Sequence, residues 1–219
     1  LGVGIAAAVS QAVEAGAFSA MTVIAGRLGA AEVAAYQILL NILALVFMIA
    51  LGLAAATAVL TSEAIGRKAP ADAARAGWTG LGLNTIGMLI AAAVVLIFAT
   101  PIGRAYTADL ELAALIAGLM WACALVLAPD GGQVVAASAL RARGDNWFPT
   151  FSHILSYAIV MPLLGYWLAE HHGMGVAGLV LAIFWSSVLS FAILLARWWA
   201  LARSGALPAP QTLDQSLSP

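Results

Sequence analysis

Long apolar runs separated by short polar gaps dominate this chain. Six runs are long enough to cross a bilayer as helices, at 3–26, 32–60, 78–100, 111–140, 147–168 and 174–203. About 20 predominantly apolar residues span a hydrocarbon core roughly 30 Å thick. Backbone N–H and C=O groups find no partners in lipid, so only helices and closed barrels cross it, and these runs lack the period-two alternation of barrel strands. The pattern predicts an all-α membrane protein, a six-transmembrane-helix bundle over 1–203. The segment 204–219, with Pro208, Pro210 and a polar end, reads as a disordered cytoplasmic tail.

Polar residues inside the runs carry the chemistry. Glu14 lies in the first run and Asp130 in the fourth. An ionised carboxylate at mid-membrane costs roughly 2.5–3.5 kcal/mol on insertion scales, so two of them on separate helices point to a cavity, a cation, a proton path or a partner. Glu14 is thirteen residues before Arg27, about 20 Å along a helix. Ser10, Gln11, Phe18 and Thr22 stand near it at helical spacing, giving one polar face at mid-depth. The plain alternative is a protonated carboxyl tied to a neighbouring helix for packing alone. Gln37 and Asn41, four residues apart in the second run, serve either as interhelical hydrogen-bonding groups or as ligands of a carboxylate or cation.

In the fourth run Pro129 precedes Asp130, followed by Gly131, Gly132 and Gln133. Proline removes a backbone donor and glycine weakens a helix, so the sequence predicts a bend at Asp130, with the acid at an interruption where backbone carbonyls line a cavity. Pro162 and Gly165 in the fifth run predict a bend or close packing, with His153, Ser156 and Tyr157 along one face.

Composition sharpens the membrane reading. Charged residues make up 9% of the chain and hydrophobic ones 63%, against about 25% charged in soluble domains; mean hydropathy is +1.02. With the N-terminal end inside, Arg67, Lys68, Arg75, Arg141, Arg143, Arg197 and Arg203 fall in inner connections and only Arg27 and Arg104 in outer ones. That bias places both ends of the six-span unit in the cytoplasm. The net charge of −1 gives no sign of a nucleic-acid partner. Leu1 opens directly on a span without a basic leader, so the chain reads as part of a longer protein.

Other features lead nowhere catalytic. Cys123 is the single cysteine and reads as a small buried hydrophobe. Arg143-Gly144-Asp145 spells an adhesion tripeptide but falls in an inner loop, and His171-His172 reads as a solvated pair in an outer one. No phosphate loop, metalloprotease helix or serine triad spacing occurs, which argues against an enzyme.

Several segments together resemble the multidrug and toxic compound extrusion (MATE) transporters. Gly26-Arg27-Leu28-Gly29, Ala34-Ala35-Tyr36-Gln37-Ile38 with Asn41, and the run Phe47 to Ala56 are similar to that family's seventh to eighth spans. Ser62 to Arg67 with Ala73-Ala74-Arg75 resembles its next cytoplasmic loop. Asp130 to Val135, leading to Leu140-Arg141 and Gly144-Asp145, resembles its tenth span and following loop. Met161 to Tyr166 and Gly173 to Gly178 match the starts of the last two spans, so the likeness covers nearly all of 1–203. It departs at Ala142, often glycine in the family, and at Val126, where some relatives carry a tyrosine one turn before the aspartate.

The resemblance implies one lobe of a twelve-helix pseudo-symmetric transporter, the C-terminal one. A separate N-terminal six-span lobe, from the same polypeptide, would be its partner in a bacterial inner membrane. It implies secondary active multidrug efflux by cation antiport, without a cofactor, exporting amphipathic or cationic drugs. Sodium or the proton would couple at Glu14 and Asp130, the positions matching the family's acidic residues, with no structural metal. Gln11, Gln37, Asn41 and Gln133 are candidates for the cavity wall, and Phe18, Tyr36 and Met48 for apolar substrate contacts, although ordinary helix packing is the better reading of these three. Two alternatives stand beside this reading: a flippase of lipid-linked precursors with related architecture, and a non-transporting membrane subunit.

Overall fold

The computed structural model describes residues 2–204, so the expected tail, apart from Ser204, lies outside the described residues. Among those residues six helices are long and apolar enough to cross a membrane. They are α1 (Gly2–Leu28), α2 (Ala30–Gly66), α3 (Pro70–Ile97), α5 (Leu110–Ala142), the composite span Trp147–His171 and α8 (Gly175–Ser204). A short helix, α4 (Ala99–Tyr106), fills the connection between α3 and α5; the sequence reading had left most of it as loop.

Local chemistry sets the ends. A single residue joins α1 to α2: Gly29 adopts φ 140°, a conformation that side chains disfavour, and reverses the chain without a loop. Pro70 opens α3 at a position where its missing N–H would be unpaired anyway. Asp109 caps α5 by accepting hydrogen bonds from the backbone N–H groups of Glu111 (2.9 Å) and Leu112 (3.3 Å).

The α2 and α3 helices extend further toward the connection between them than the apolar runs, which stop at 60 and resume at 78. At about 1.5 Å per residue, the 37 residues of α2 measure about 55 Å, well beyond a hydrocarbon core. The extra turns are polar and carry intrahelical pairs, Arg67 with Glu63 at 3.9 Å and Arg75 with Asp72 at 3.6 Å. Hydropathy marks the edge of the lipid, and these helices continue past it into the aqueous phase.

The α5 helix forms the axis of the bundle. It packs against α2, α3, α4 and α8, while α1 lies against α2 and the fifth span. All residues from Gly131 to Ala137 are buried, which only small or slender side chains permit at such close range. α5 runs unbroken through Pro129, so the helix is not interrupted at Asp130. A proline removes one donor, whereas ending a helix within a membrane would strand several backbone groups, so continuity is the lower-energy solution. The two glycines serve close approach instead. A Cβ on Gly131 would stand 2.9 Å from both polar atoms of the Asn84 amide, and one on Gly132 would stand 2.8 Å from the Phe191 ring.

The fifth span is the irregular one. It consists of α6 (Trp147–His153), a π-helical segment Ile154–Val160, α7 (Met161–Tyr166) and a second π-helical segment Trp167–His171. Pro162 sits in the first turn of α7, immediately after the wider π register, which accommodates a residue without an N–H. Gly165 gives close packing here, because a Cβ would meet the Met21 sulfur at 2.5 Å.

At Gly178 the close contact is against backbone: an added Cβ would stand 2.7 Å from the Leu168 carbonyl carbon and 2.8 Å from the Ala169 nitrogen. Gly178→Ala is expected to destabilise the protein by about 1–3 kcal/mol through overpacking, read as a lower unfolding midpoint in detergent. Gly82→Ala, whose methyl would meet nothing within 4 Å, should leave the midpoint unchanged or slightly raised; equal behaviour of the two variants would refute the close-contact account.

Candidate functional site

A cavity of about 270 Å³ opens where α1, α2, α5, the fifth span and α8 converge. Helical spacing supplies its wall. Glu14 and Phe18 come from α1, four residues apart; Leu40, Leu43, Ala44 and Phe47 come from one stripe of α2; Val126, Asp130 and Gln133 come from α5. Tyr157 enters from the first π-helical segment and Ile183 from α8. The wall is therefore mostly apolar, with two carboxyl groups and one carboxamide in it. The buried Gln133 stands in the same wall as both carboxyls, and its carbonyl oxygen has no partner.

Asp130 is held by hydroxyls. Its Oδ1 accepts from the Tyr157 hydroxyl at 3.1 Å and from Ser187 Oγ at 3.0 Å, and these two oxygens are themselves 3.0 Å apart. Three oxygen–oxygen contacts share only two hydroxyl protons, so one edge of the triangle lacks a hydrogen while Asp130 is ionised. A proton on Asp130 would supply it. The neighbouring Val126 brings no hydroxyl; the tyrosine that meets Asp130 stands on the fifth span.

Glu14 belongs to a second polar group. Its Oε1 lies 3.2 Å from His153 Nδ1, an ion pair only when the ring is protonated, and it receives no well-directed hydrogen bond. The same Nδ1 is 2.6 Å from Ser10 Oγ, which accepts from Arg141 Nη2 at 2.9 Å. His153 is 2% exposed and Ser10 1%. A buried polar line thus runs from Arg141 near the end of α5 to Glu14 at the cavity, whose wall also holds Gln133 and Asp130.

Of the residues picked out from sequence, Glu14, Asp130, Gln133 and Phe18 come together in this wall. Gln11, Gln37, Asn41, Tyr36 and Met48 do not line it. Tyr36 is fully buried in the core and Met48 is 57% exposed. Gln37 donates to Thr22 Oγ1 at 3.2 Å, and Asn41 Oδ1 accepts from the Tyr106 hydroxyl of α4 at 2.7 Å. At 100° per residue, Gln37, Asn41 and Met48 share a stripe of α2 about a quarter-turn away from Leu40, Leu43 and Phe47. Of the helix-bend candidates, Pro129, Gly131 and Gly132 lie within continuous α5, and Pro162 follows the π register.

Sequence reasoning missed Ser187 and the inward reach of Arg141. Spacing held a signal for both. Arg141 is eleven residues after Asp130, three turns along the same face of α5, and Ser187 follows the cavity residue Ile183 by four.

The comparisons with known proteins agree on one group. A family model described as MatE matches residues 6–167. A probable multidrug resistance protein NorM of Caulobacter vibrioides is 43% identical over 200 residues, covering 90% of this chain and 42% of the relative. The multidrug resistance protein NorM of Burkholderia vietnamiensis is 32% identical over 216 residues, covering 96% of this chain and 46% of the relative. Among solved structures, the eukaryotic MATE transporter AtDTX14 superposes with a TM-score of 0.84 at 18% identity, over 93% of this chain and 47% of that one. A MATE in its bent conformation gives 0.83 at 18%, over 94% and 46%. The chain spans less than half the length of these relatives, and its fold is one half of a twelve-helix transporter architecture. Relatives of this kind are transporters, not enzymes.

The hydroxyl triangle around Asp130 has a measurable signature. Tyr157→Phe and Ser187→Ala each remove one donor and are expected to cost about 0.5–2 kcal/mol. The double variant should lose more than the sum if the remaining hydroxyl takes over in each single variant. A double-mutant cycle on unfolding in detergent tests this; strict additivity would mean that the two hydroxyls act independently.

Proposed function

The chain belongs to the MatE family, and on that premise we propose that residues 1–203 form the C-terminal lobe of a secondary active multidrug exporter driven by cation antiport. The observation that carries this reading is the meeting of Glu14 and Asp130, from different helices, around Gln133 in one largely apolar cavity. Its partner would be an N-terminal six-span lobe of the same polypeptide, a reading supported by relatives more than twice as long as the matched region. The charge bias of the connections supports cytoplasmic ends, and the bacterial relatives support an inner-membrane location.

The mechanism follows from electrostatics. A carboxylate within a membrane is stabilised by a proton or a cation and is costly without either. Sodium would find oxygen ligands in the two carboxyls and the partnerless Gln133 carbonyl; a proton would complete the Asp130 triangle. Each elementary charge moved inward across 100 mV gains about 2.3 kcal/mol. Antiport spends that gradient on expelling a compound that occupies the same cavity in another state. Phe18, Leu43, Phe47 and Ile183 give the cavity apolar surface for a hydrophobic body, and the acids attract a positive charge. This suits amphipathic cations better than the anionic headgroups of lipid-linked precursors, so the exporter reading is preferred over a flippase.

The test is dye export by the full-length transporter that carries this lobe. Glu14→Gln and Asp130→Asn should each reduce cation-dependent ethidium efflux to background while the protein remains in the membrane at parental levels. Efflux at the parental rate in both variants would remove the coupling site and leave the non-transporting subunit as the better account.

A further inference from the structure

The cytoplasmic side of the cavity is closed by residues that the antiport reading has not used. Ser10 and Glu14 lie one turn apart on α1. Arg141 reaches Ser10 from α5, and His153 of α6 touches both Ser10 and Glu14. Only Ser10 and His153, both almost fully buried, separate the guanidinium from the carboxyl. Arg143 and Arg197, also at this end, are engaged elsewhere: Arg143 with the Leu201 carbonyl and the Trp198 ring, and Arg197 with Asp145 at 2.8 Å. Arg141 is therefore the fixed positive charge built into the approach to Glu14.

The polar line is also incompletely satisfied. Arg141 Nε and His153 Nε2 are buried without hydrogen-bond partners. An assembly that served only to tie helices together would gain by satisfying them.

Resting on the antiport reading, we propose that Arg141 is a positioning residue that stands in for the coupling cation. When the site empties toward the cytoplasm, the guanidinium, acting through Ser10 and His153, offsets the charge left on Glu14 and keeps the empty carboxylate in place. An incoming cation must compete with that interaction. Arg141 thereby weakens cation binding and speeds cation release, because a charge that stabilises the empty state lowers affinity for the bound one.

The experiment uses the full-length transporter carrying this lobe, reconstituted in vesicles. Ethidium transport is measured against sodium at fixed pH and against proton concentration at fixed sodium. For Arg141→Gln, the half-saturating concentration of whichever cation drives the parent should fall by about fivefold or more, together with a lower maximal rate. Arg141→Lys should keep it near the parental value by retaining the charge. Ser10→Ala, which breaks the link without removing a charge, should shift it in the same direction by less. A purely structural role predicts less protein or a lower maximal rate with unchanged half-saturation in all three variants, and that result would overturn the proposal. If Arg141→Gln does not assemble, an unshifted Ser10→Ala overturns it equally. A parent without any cation dependence would instead refute the antiport reading itself.

Discussion

Hydrocarbon offers no hydrogen-bond partner, and this one constraint organises the molecule. It requires every spanning backbone to be helical, it keeps α5 continuous through Pro129, and it sets the two buried carboxyls beside polar neighbours. Asp130 meets the hydroxyls of Tyr157 and Ser187; Glu14 meets the line of His153, Ser10 and Arg141; Gln133 stands in the cavity wall with both carboxyls. Few ionisable groups are placed at depth, and these converge from helices that are far apart in sequence. Such convergence distinguishes a site from scattered polar residues that hydrogen-bond their own helix, as Thr57 does to Leu53 and Thr85 to Leu81.

Close packing makes that convergence possible. The buried middle of α5 is built from glycine, alanine and valine around Gln133, so neighbouring helices approach its backbone. Gly131 leaves room for Asn84, and Gly132 for Phe191. Elsewhere Gly77 makes way for the Trp198 ring and Gly80 for Thr57. Without a hydrophobic force between helices in lipid, this contact area and a few polar links hold the bundle. Large apolar side chains such as Val23, Ile86, Ile97 and Leu163 stay on the outside, where hydrocarbon solvates them as well as a core would.

Most of the fold was legible in the chain because the signal for a membrane span is an average over about 20 residues, and single misplaced residues do not erase it. The polar helix extensions were less so: nothing in hydropathy separates a helix that continues into water, as α2 does to Gly66, from a loop. The acids of the site were legible because their depth is costly wherever they point. Their companions were not, since Tyr157, Ser187 and His153 acquire meaning only when three helices meet. Gln37 and Asn41 show the converse. Their spacing suggested a shared role, yet they lie a quarter-turn from the cavity stripe and bind Thr22 and Tyr106. A rotation of that size is set by tertiary packing, which local periodicity does not encode.

The helices flanking the cavity are held in different ways. Apolar packing on several sides fixes α5, whereas α1 is the least enclosed of the six spans and is attached through a series of polar contacts. Thr150 Oγ1 donates to the Ala6 carbonyl at 2.9 Å, Ser10 receives Arg141, Glu14 meets His153, Thr22 receives Gln37, and Arg27 pairs with Glu170 at 3.5 Å. Individual polar links between membrane helices contribute about 0.6–2 kcal/mol, and the Arg27 pair, with its arginine 64% exposed, contributes less than a buried one would. A helix held by several such links can shift when one or two of them change, which a helix locked in a close-packed core does not do. The contacts nearest the cavity are those of Ser10 and Glu14, and these answer directly to the charge state of the site. The element that carries Glu14 is therefore also the element whose attachment runs through that acid's own polar contacts.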